Sequence, residues 1–386
     1  MSTGKLIVAV LSMLILAAGA WADGPQFNVD WYGYLKLDAA RDQNPTNGHY
    51  ALWVLPQTDD QNEQFNMTHK ESRMGMKVAA DRYQGFDLAG NVEFDLYGNG
   101  SDVESKTEIS LRHAFFTLQK DGFQLLAGQS WDIISPLNPK TLNYNPLWAC
   151  GNTGHRRPQL RLSYVAEPTT ASQFTIAAGF FRTLGWDLST TLTLAASENA
   201  NDAIDDGTDA GIPSLQGGID YQHRFASGAR LRVGASGLWD QLKAEGSLGT
   251  SETYQSQGVF GHLEFSLPRA GIKGEAYTGQ NLGKYYGAVA NSSSLDGVDS
   301  KGGWGQVWFQ VHPQVRLNAT AGMDDVSDED VIVNNRTKNQ ALVGSLLYSP
   351  VDPVTIGVEV SQWETEYQDT ETVKNLRLQS SFVLNF

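Results

Sequence analysis

The residues Lys374 to Phe386 alternate strictly enough to define two faces. Leu376, Leu378, Phe382, Leu384 and Phe386 share one parity, and Asn375, Arg377, Gln379, Ser381 and Asn385 share the other, with Ser380 and Val383 as exceptions. Successive side chains of a strand point to opposite sides, so this stretch has one greasy face and one wet face. The same alternation recurs upstream near 31–41, 72–80, 86–97, 107–119, 123–130, 157–166, 173–182 and 217–225, and again near 230–240, 255–267, 272–279, 303–311, 314–324, 338–349 and 354–366. That amounts to about sixteen strands.

The connections restrict the fold further. Tight links such as Lys120-Asp121-Gly122, Glu167-Pro168-Thr169-Thr170 and Ala226-Ser227-Gly228 alternate with long segments, among them 131–156 and 184–216. Short turns on one rim and long loops on the other are the pattern of a single-chain transmembrane barrel. The expectation is an all-β, antiparallel transmembrane β-barrel of about sixteen strands, with short periplasmic turns and long external loops. An even count brings both ends of the chain to the short-turn side, and about sixteen strands leave a water-filled bore. A soluble lectin-like sandwich or jelly roll also uses many short strands, but it predicts neither the loop alternation nor a final Phe.

Residues 1–22 read as a cleaved signal peptide: Lys5, an apolar run from Leu6 to Ala18, and the small-x-small sequence Ala20-Trp21-Ala22. The barrel is expected over 23–386, exported to the bacterial outer membrane. No other segment has the ~18 to 20 continuous apolar residues of a membrane helix. A mean hydropathy of −0.33 does not argue against a membrane barrel, because half of each spanning strand faces water. Cys150 is the single cysteine, so no intramolecular disulfide can form. The acid-rich loops, including Asp202, Asp205, Asp206 and Asp209, lack the spaced ligand order of a calcium loop and read as solvated surface.

From residue 31 to about 180 the chain resembles the DcaP-like family of trimeric bacterial outer-membrane porins. The likeness rests on W-Y-G-Y-L-K-L-D from Trp31, E-S-R-M-G-M-K from Glu71, G-N-V-E-F-D-L-Y-G from Gly90, L-R-H-A-F-F from Leu111, L-L-A-G-Q-S-W from Leu125 and R-R-P-Q-L-R-L-S-Y from Arg156. The C-terminal half matches only in strand pattern and final Phe. The resemblance implies a homotrimer and a passive channel favouring small anions, dicarboxylates among them. With cleavage after residue 22, the helical N-terminal extension of some members is expected to be absent.

Parity assigns candidate lumen residues. A charge facing lipid at mid-membrane costs roughly 2 to 4 kcal/mol, so Arg157 and Arg161 turn inward opposite Pro158, Leu160 and Leu162. The same reasoning turns Lys36, Arg73, Arg112 and Arg377 inward, giving with Arg156 a basic wall over neighbouring strands. Asp38, Asp87, Glu93 and Asp95 are available to neutralise it, so steering of solute and pairing in place both stay open. The segment 131–156 is expected to fold inward as a constriction loop. Between Trp131 and Arg157 there is one carboxylate, Asp132, against Lys140, Arg156 and Arg157, with Asn138, Asn143, Tyr144 and Asn145 as hydrogen-bonding groups. Selectivity follows charges at the narrowest point, so an acid-poor loop outweighs a net charge of −15.

Arg230, Arg232 and Arg316 fall near turn ends, where rim solvation is expected. Trp53, Trp148, Trp239, Trp304, Trp308 and Trp363 are expected in an interfacial girdle or in trimer packing. The seven histidines are scattered without metal-ligand spacing, there is no G-x-S-x-G elbow, and no Ser–His pair could be built on the outer wall. The reading is therefore a porin for small hydrophilic solutes with anion preference and no cofactor. Its expected partners are outer-membrane lipid, lipopolysaccharide and small anions, with no nucleic acid. A general or cation-selective porin, and an outer-membrane enzyme or adhesin, are the alternatives. A soluble adhesin would need no detergent and would show no heat-dependent gel shift, whereas the barrel is expected to need detergent and to show the shift.

Overall fold

The computed structural model describes residues 24–56, 63–98, 104–184, 206–245, 251–291, 297–330, 335–370 and 372–386. The expected signal peptide, Asp202 and Asp205 lie outside them. The strands are β1 (Phe27–Asp42), β2 (Gln64–Thr68), β3 (Arg73–Tyr83), β4 (Phe86–Asp95), β5 (Ser110–Lys120), β6 (Phe123–Trp131), β7 (Arg156–Thr169), β8 (Ser172–Phe181) and β9 (Ser214–Arg224). They continue as β10 (Arg230–Glu245), β11 (Ser251–Ser266), β12 (Ala270–Gln280), β13 (Asp299–His312), β14 (Val315–Val326), β15 (Arg336–Tyr348), β16 (Val354–Tyr367) and β17 (Val373–Asn385).

Apart from β2 and β3, which both pair with β1, each strand pairs antiparallel with its neighbours in sequence, and β1 pairs with β17, so the sheet closes on itself. β2 and β3 lie end to end along β1, opposite Asp38–Asp42 and Phe27–Tyr34 respectively. They form one stave, and the seventeen strands make a closed barrel of sixteen staves. Closure leaves no sheet edge whose N–H and C=O groups would meet hydrocarbon unpaired. At the seam Asp38 stands opposite Ser381 and Asp42 opposite Arg377, and Gly33 and Phe386 exchange both backbone hydrogen bonds at 3.0 Å.

Alternation sorts the two surfaces as expected. Leu160, Leu162 and Tyr164 are exposed on the outer wall, as are Leu342, Leu346, Val358, Val360, Leu376 and Leu378. Their neighbours Gln159, Ser163, Ser345, Glu359, Ser361, Arg377 and Gln379 are buried inside. Connection lengths alternate less strictly than the sequence suggests. Only five residues, 246–250, separate β10 from β11, and five, 368–372, separate β16 from β17, as many as in the turn at 349–353. The difference arises because these strands run on beyond the membrane-crossing length, so ladder replaces loop.

The outer wall makes a quantitative prediction. Leu162→Arg should lower the unfolding free energy in lipid vesicles by about 2 to 4 kcal/mol, against under about 1.5 kcal/mol for Leu162→Met. A urea titration of folding into vesicles measures both, and equal costs would mean that Leu162 does not face lipid.

Candidate functional site

The loop after β6, residues 132–155, crosses the interior and docks on the far wall. Its groups are held by inward side chains of the second half of the barrel. Glu359 on β16 accepts the backbone N–H groups of Leu142 (2.7 Å) and Asn143 (3.3 Å). Glu275 on β12 accepts the Leu137 N–H (2.8 Å) and the Ser135 hydroxyl (2.5 Å). The Gln306 amide on β13 exchanges two 3.1 Å bonds with the main chain of Lys140. The Leu142 carbonyl accepts from Lys36 Nζ (2.8 Å) and Gln379 Nε2 (2.9 Å). The chain returns through Gly151, at a positive φ of 96°, where a Cβ would stand 2.1 Å from the Gly303 carbonyl. Only glycine fits that contact.

Two further loops join it, which the sequence did not reveal. Ala51 and Val54, from the loop after β1, pack with Leu137, Leu147, Trp304, Ala341 and Trp363 into an apolar core inside the barrel. Leu282 and Tyr285, from the loop after β12, pack with Ile134, Phe260 and Tyr277. The loop after β12 is also stitched to loop 132–155 by Ala149 N–H to the Tyr286 carbonyl (3.0 Å) and Gly154 N–H to the Tyr285 carbonyl (2.8 Å). This core corrects the tryptophan assignment. Trp53, Trp148, Trp304 and Trp363 are buried within the barrel, and Trp308 lies under Arg316. Parity would have placed Trp304, Trp308 and Trp363 on the inner face, but an apolar ring on a polar face reads as an interfacial anchor until a loop is known to cover it.

Most of the candidate cations are paired. Lys36 contacts Asp38 (3.3 Å) and Glu71. Arg112 bridges Glu93 (2.7 Å) and Asp95 (2.8 Å), and Arg377 reaches Asp42 at 2.7 Å. Arg157 is fully buried, 2.9 Å from Asp132 and stacked 4.1 Å from the Tyr285 ring centroid. Arg73 is shared between Glu93, at 3.6 Å, and the Tyr34 ring. The remaining two have no carboxylate within ion-pair distance among the described residues. Arg161 is half-buried with an unpartnered Nε, and Arg156 is buried with an unpartnered guanidinium nitrogen. Seven cations thus meet six carboxylates.

Arg156 stacks 4.7 Å over Trp131 and is within electrostatic reach of Arg112, Arg73, Tyr144 and Asp95. Tyr144 donates to Asp95 at 3.2 Å, so the loop itself closes this cluster. His155 beside it is half-buried; desolvation, then the facing Arg156 and Arg157, holds the imidazole well below its usual range and keeps it neutral. Cys150 is fully buried; burial, then the Asp324 carboxylate, pushes its thiol up and leaves it inert. Asn143 and Asn145 both donate to the Ala51 carbonyl (3.1 and 2.7 Å), and Asn138 accepts from Asn152 (3.0 Å). These three shape the loop. Asp132 also accepts the His155 N–H (2.8 Å) and so anchors the loop's root. Of the arginines assigned to a solvated rim, Arg232 instead pairs with Asp220 at 2.7 Å.

On the outer wall Ser172 Oγ lies 2.9 Å from His223 Nδ1, a pair that sequence reading could not build. Register puts the two opposite each other near the turns. No carboxylate lies within ion-pair distance of His223 among the described residues, so nothing orients the imidazole as a catalytic triad requires.

A closed barrel of sixteen staves, with an apolar outer wall, a polar inner wall and a loop crossing the lumen, has the architecture of a porin. Comparison with solved structures gives the same fold. The outer membrane channel DcaP of Acinetobacter baumannii superposes with a TM-score of 0.72 at 19% identity, over 93% of this chain and 97% of that one. An anion-selective porin from Comamonas acidovorans gives 0.57 at 11% identity, over 94% and 100%. OmpT of Vibrio cholerae in its trimer form gives 0.55 at 11%, over 93% and 99%. The likeness to DcaP-like porins read from the sequence therefore holds in the fold. No protein-family model and no curated protein sequence matches the chain.

The tethers are open to test. Glu359→Ala removes the acceptor of two loop N–H groups, a cost of roughly 1 to 3 kcal/mol for each group left unsatisfied. Single-channel recordings should then show larger open-channel current noise than in the parent. Unaltered noise would show that Glu359 does not hold the loop.

Proposed function

We propose that the protein is an outer-membrane porin through which small hydrophilic solutes diffuse passively, with a preference for small anions. The single supporting observation is Arg156, a buried guanidinium without a carboxylate partner, stacked on Trp131 beside Arg73 and Arg112 where Tyr144 of the crossing loop closes the wall. A guanidinium with free donors in a partly dehydrated bore offers an anion paired hydrogen bonds that a neutral lining cannot. Loop 132–155 sets the size limit. The excess of one cation across the wall acts at short range, where local charges outweigh the distant acids of the exposed loops. The solved neighbours include one described as anion-selective and one as a trimer, which supports the same reading and a homotrimer in the outer membrane.

A cation-preferring porin is the second reading. Asp240, Glu275, Asp324 and Glu359 are inward carboxylates with no cation within ion-pair distance among the described residues. All four, however, accept hydrogen bonds from loop groups: Thr183 and Tyr285 on Asp240, Val289 N–H on Asp324, and the tethers already described on Glu275 and Glu359. Their lone pairs serve the loops and not the bore, which favours anions.

Reversal potential across a planar bilayer under a KCl gradient tests the proposal. The expected sign is that of chloride preference, and Arg156→Gln should lower the chloride-to-potassium permeability ratio at least twofold. A potassium preference in the parent protein would refute the reading.

A further inference from the structure

We propose that Lys140, Lys273 and Arg316 form a second oxyanion station, on the turn-side face of the crossing loop. It would take the carboxylate or phosphate group of a solute that the Arg156 cluster has admitted. The inference rests on the anion-channel reading and adds a site to it.

The three residues converge through Gln306. Lys140 sits at the far reach of loop 132–155 with its main chain doubly bonded to the Gln306 amide. Lys273 is the direct register partner of Gln306 on β12, and its Nζ donates to the Asn138 carbonyl at 2.6 Å, fixing it under the same stretch of loop. Arg316 enters from β14, on the other flank of β13. Its guanidinium lies flat over Trp308 at 4.4 Å, and its Nε is held by Asn318 at 2.9 Å. β12 and β14 both start at turns, so Lys273 and Arg316 belong to the turn-side half of the lumen. The Arg156 cluster lies at the loop-side ends of β5 and β7.

Donors remain in each group. Lys140 Nζ has no protein partner among the described residues and is exposed to the lumen. Lys273 has used one ammonium hydrogen, and Arg316 has used its Nε alone. Two carboxylates face the cluster. Glu264 is opposite Lys273 in register but beyond ion-pair distance. Glu275 is already engaged by Ser135, Leu137 and Trp304. Desolvation inside the lumen, then repulsion from Arg316, holds the Lys140 ammonium below its usual range. An oxyanion between the three would relieve that repulsion. The two stations are anchored on the loop at Lys140 and Tyr144. Four residues of chain span at most roughly 14 Å, so a solute leaving one station is close to the next.

Inorganic phosphate is the probe, with chloride current through the purified barrel in a planar bilayer as the readout. Phosphate should reduce the parent's current, and the half-blocking concentration should rise at least fivefold in the triple variant Lys140→Gln, Lys273→Gln, Arg316→Gln. Lys273→Arg, which keeps charge and reach, should stay within twofold of the parent. The heat-dependent gel shift identifies variants that have folded. Block of the triple variant at the parent's concentration, or no block of the parent, would overturn the station. The KCl reversal potential of the parent reads the anion preference separately, so a channel that prefers chloride but is equally blocked in both forms loses the station and keeps the function.

Discussion

Every backbone amide on a wall facing hydrocarbon must find its partner within the protein, at a cost of several kcal/mol for each that does not. This requirement shapes the whole structure. It forces the sheet to close, and closure with a greasy exterior forces every second residue into the interior, where polar side chains predominate. A polar interior about sixteen staves around is too wide for side chains to fill. The loop after β6 meets that interior as a surface rich in acceptors and donors, and Glu275, Gln306 and Glu359 capture its main chain. The path through the bore is what remains once that docking is complete.

Charge in the lumen follows from the same setting. An isolated buried ion is costly, and its penalty falls when a counter-ion and hydrogen bonds surround it. Lys36, Arg112, Arg157 and Arg377 have each found such partners, so what parity draws as a basic wall is mostly a network of ion pairs. Arg156 escapes that fate. It stacks on Trp131 beside Arg112, Arg73 and Tyr144, and Arg112 already holds both Glu93 and Asp95. Asp240, Glu275, Asp324 and Glu359, carboxylates without a cation partner, hold the inner loops instead.

The staves were legible because period-two alternation is a local property, and a residue's face can be read from its immediate neighbours. All sixteen expected strands have a counterpart, and Arg377 lies beside β1 as closure demands. The inner loops were not legible. Ala51, Val54, Leu282 and Tyr285 are ordinary residues in irregular stretches, and nothing local shows that Trp304 and Trp363 wait on the opposite wall to cover them. The cations divide in the same way. Parity gave their direction inward, but pairing depends on which acid on a neighbouring stave has the right height, as Asp42 has for Arg377. Register between strands sets that height, and a single sequence shows register only where a turn is tight.

The seam between β1 and β17 also sets an order of events in time. Every other ladder of the barrel joins staves that follow one another in the chain, so its partners are far closer in sequence. The seam joins residues such as Asp38 and Ser381, 343 positions apart, and non-local pairings of that kind form slowly because the intervening chain must be ordered first. Circumference is therefore completed last. Until β17 arrives, β1 presents an open ladder and an apolar face together, the combination most prone to pair with another chain. Maturation of this barrel is a contest between closing on itself and being captured by a neighbour, and a single strand pair decides it.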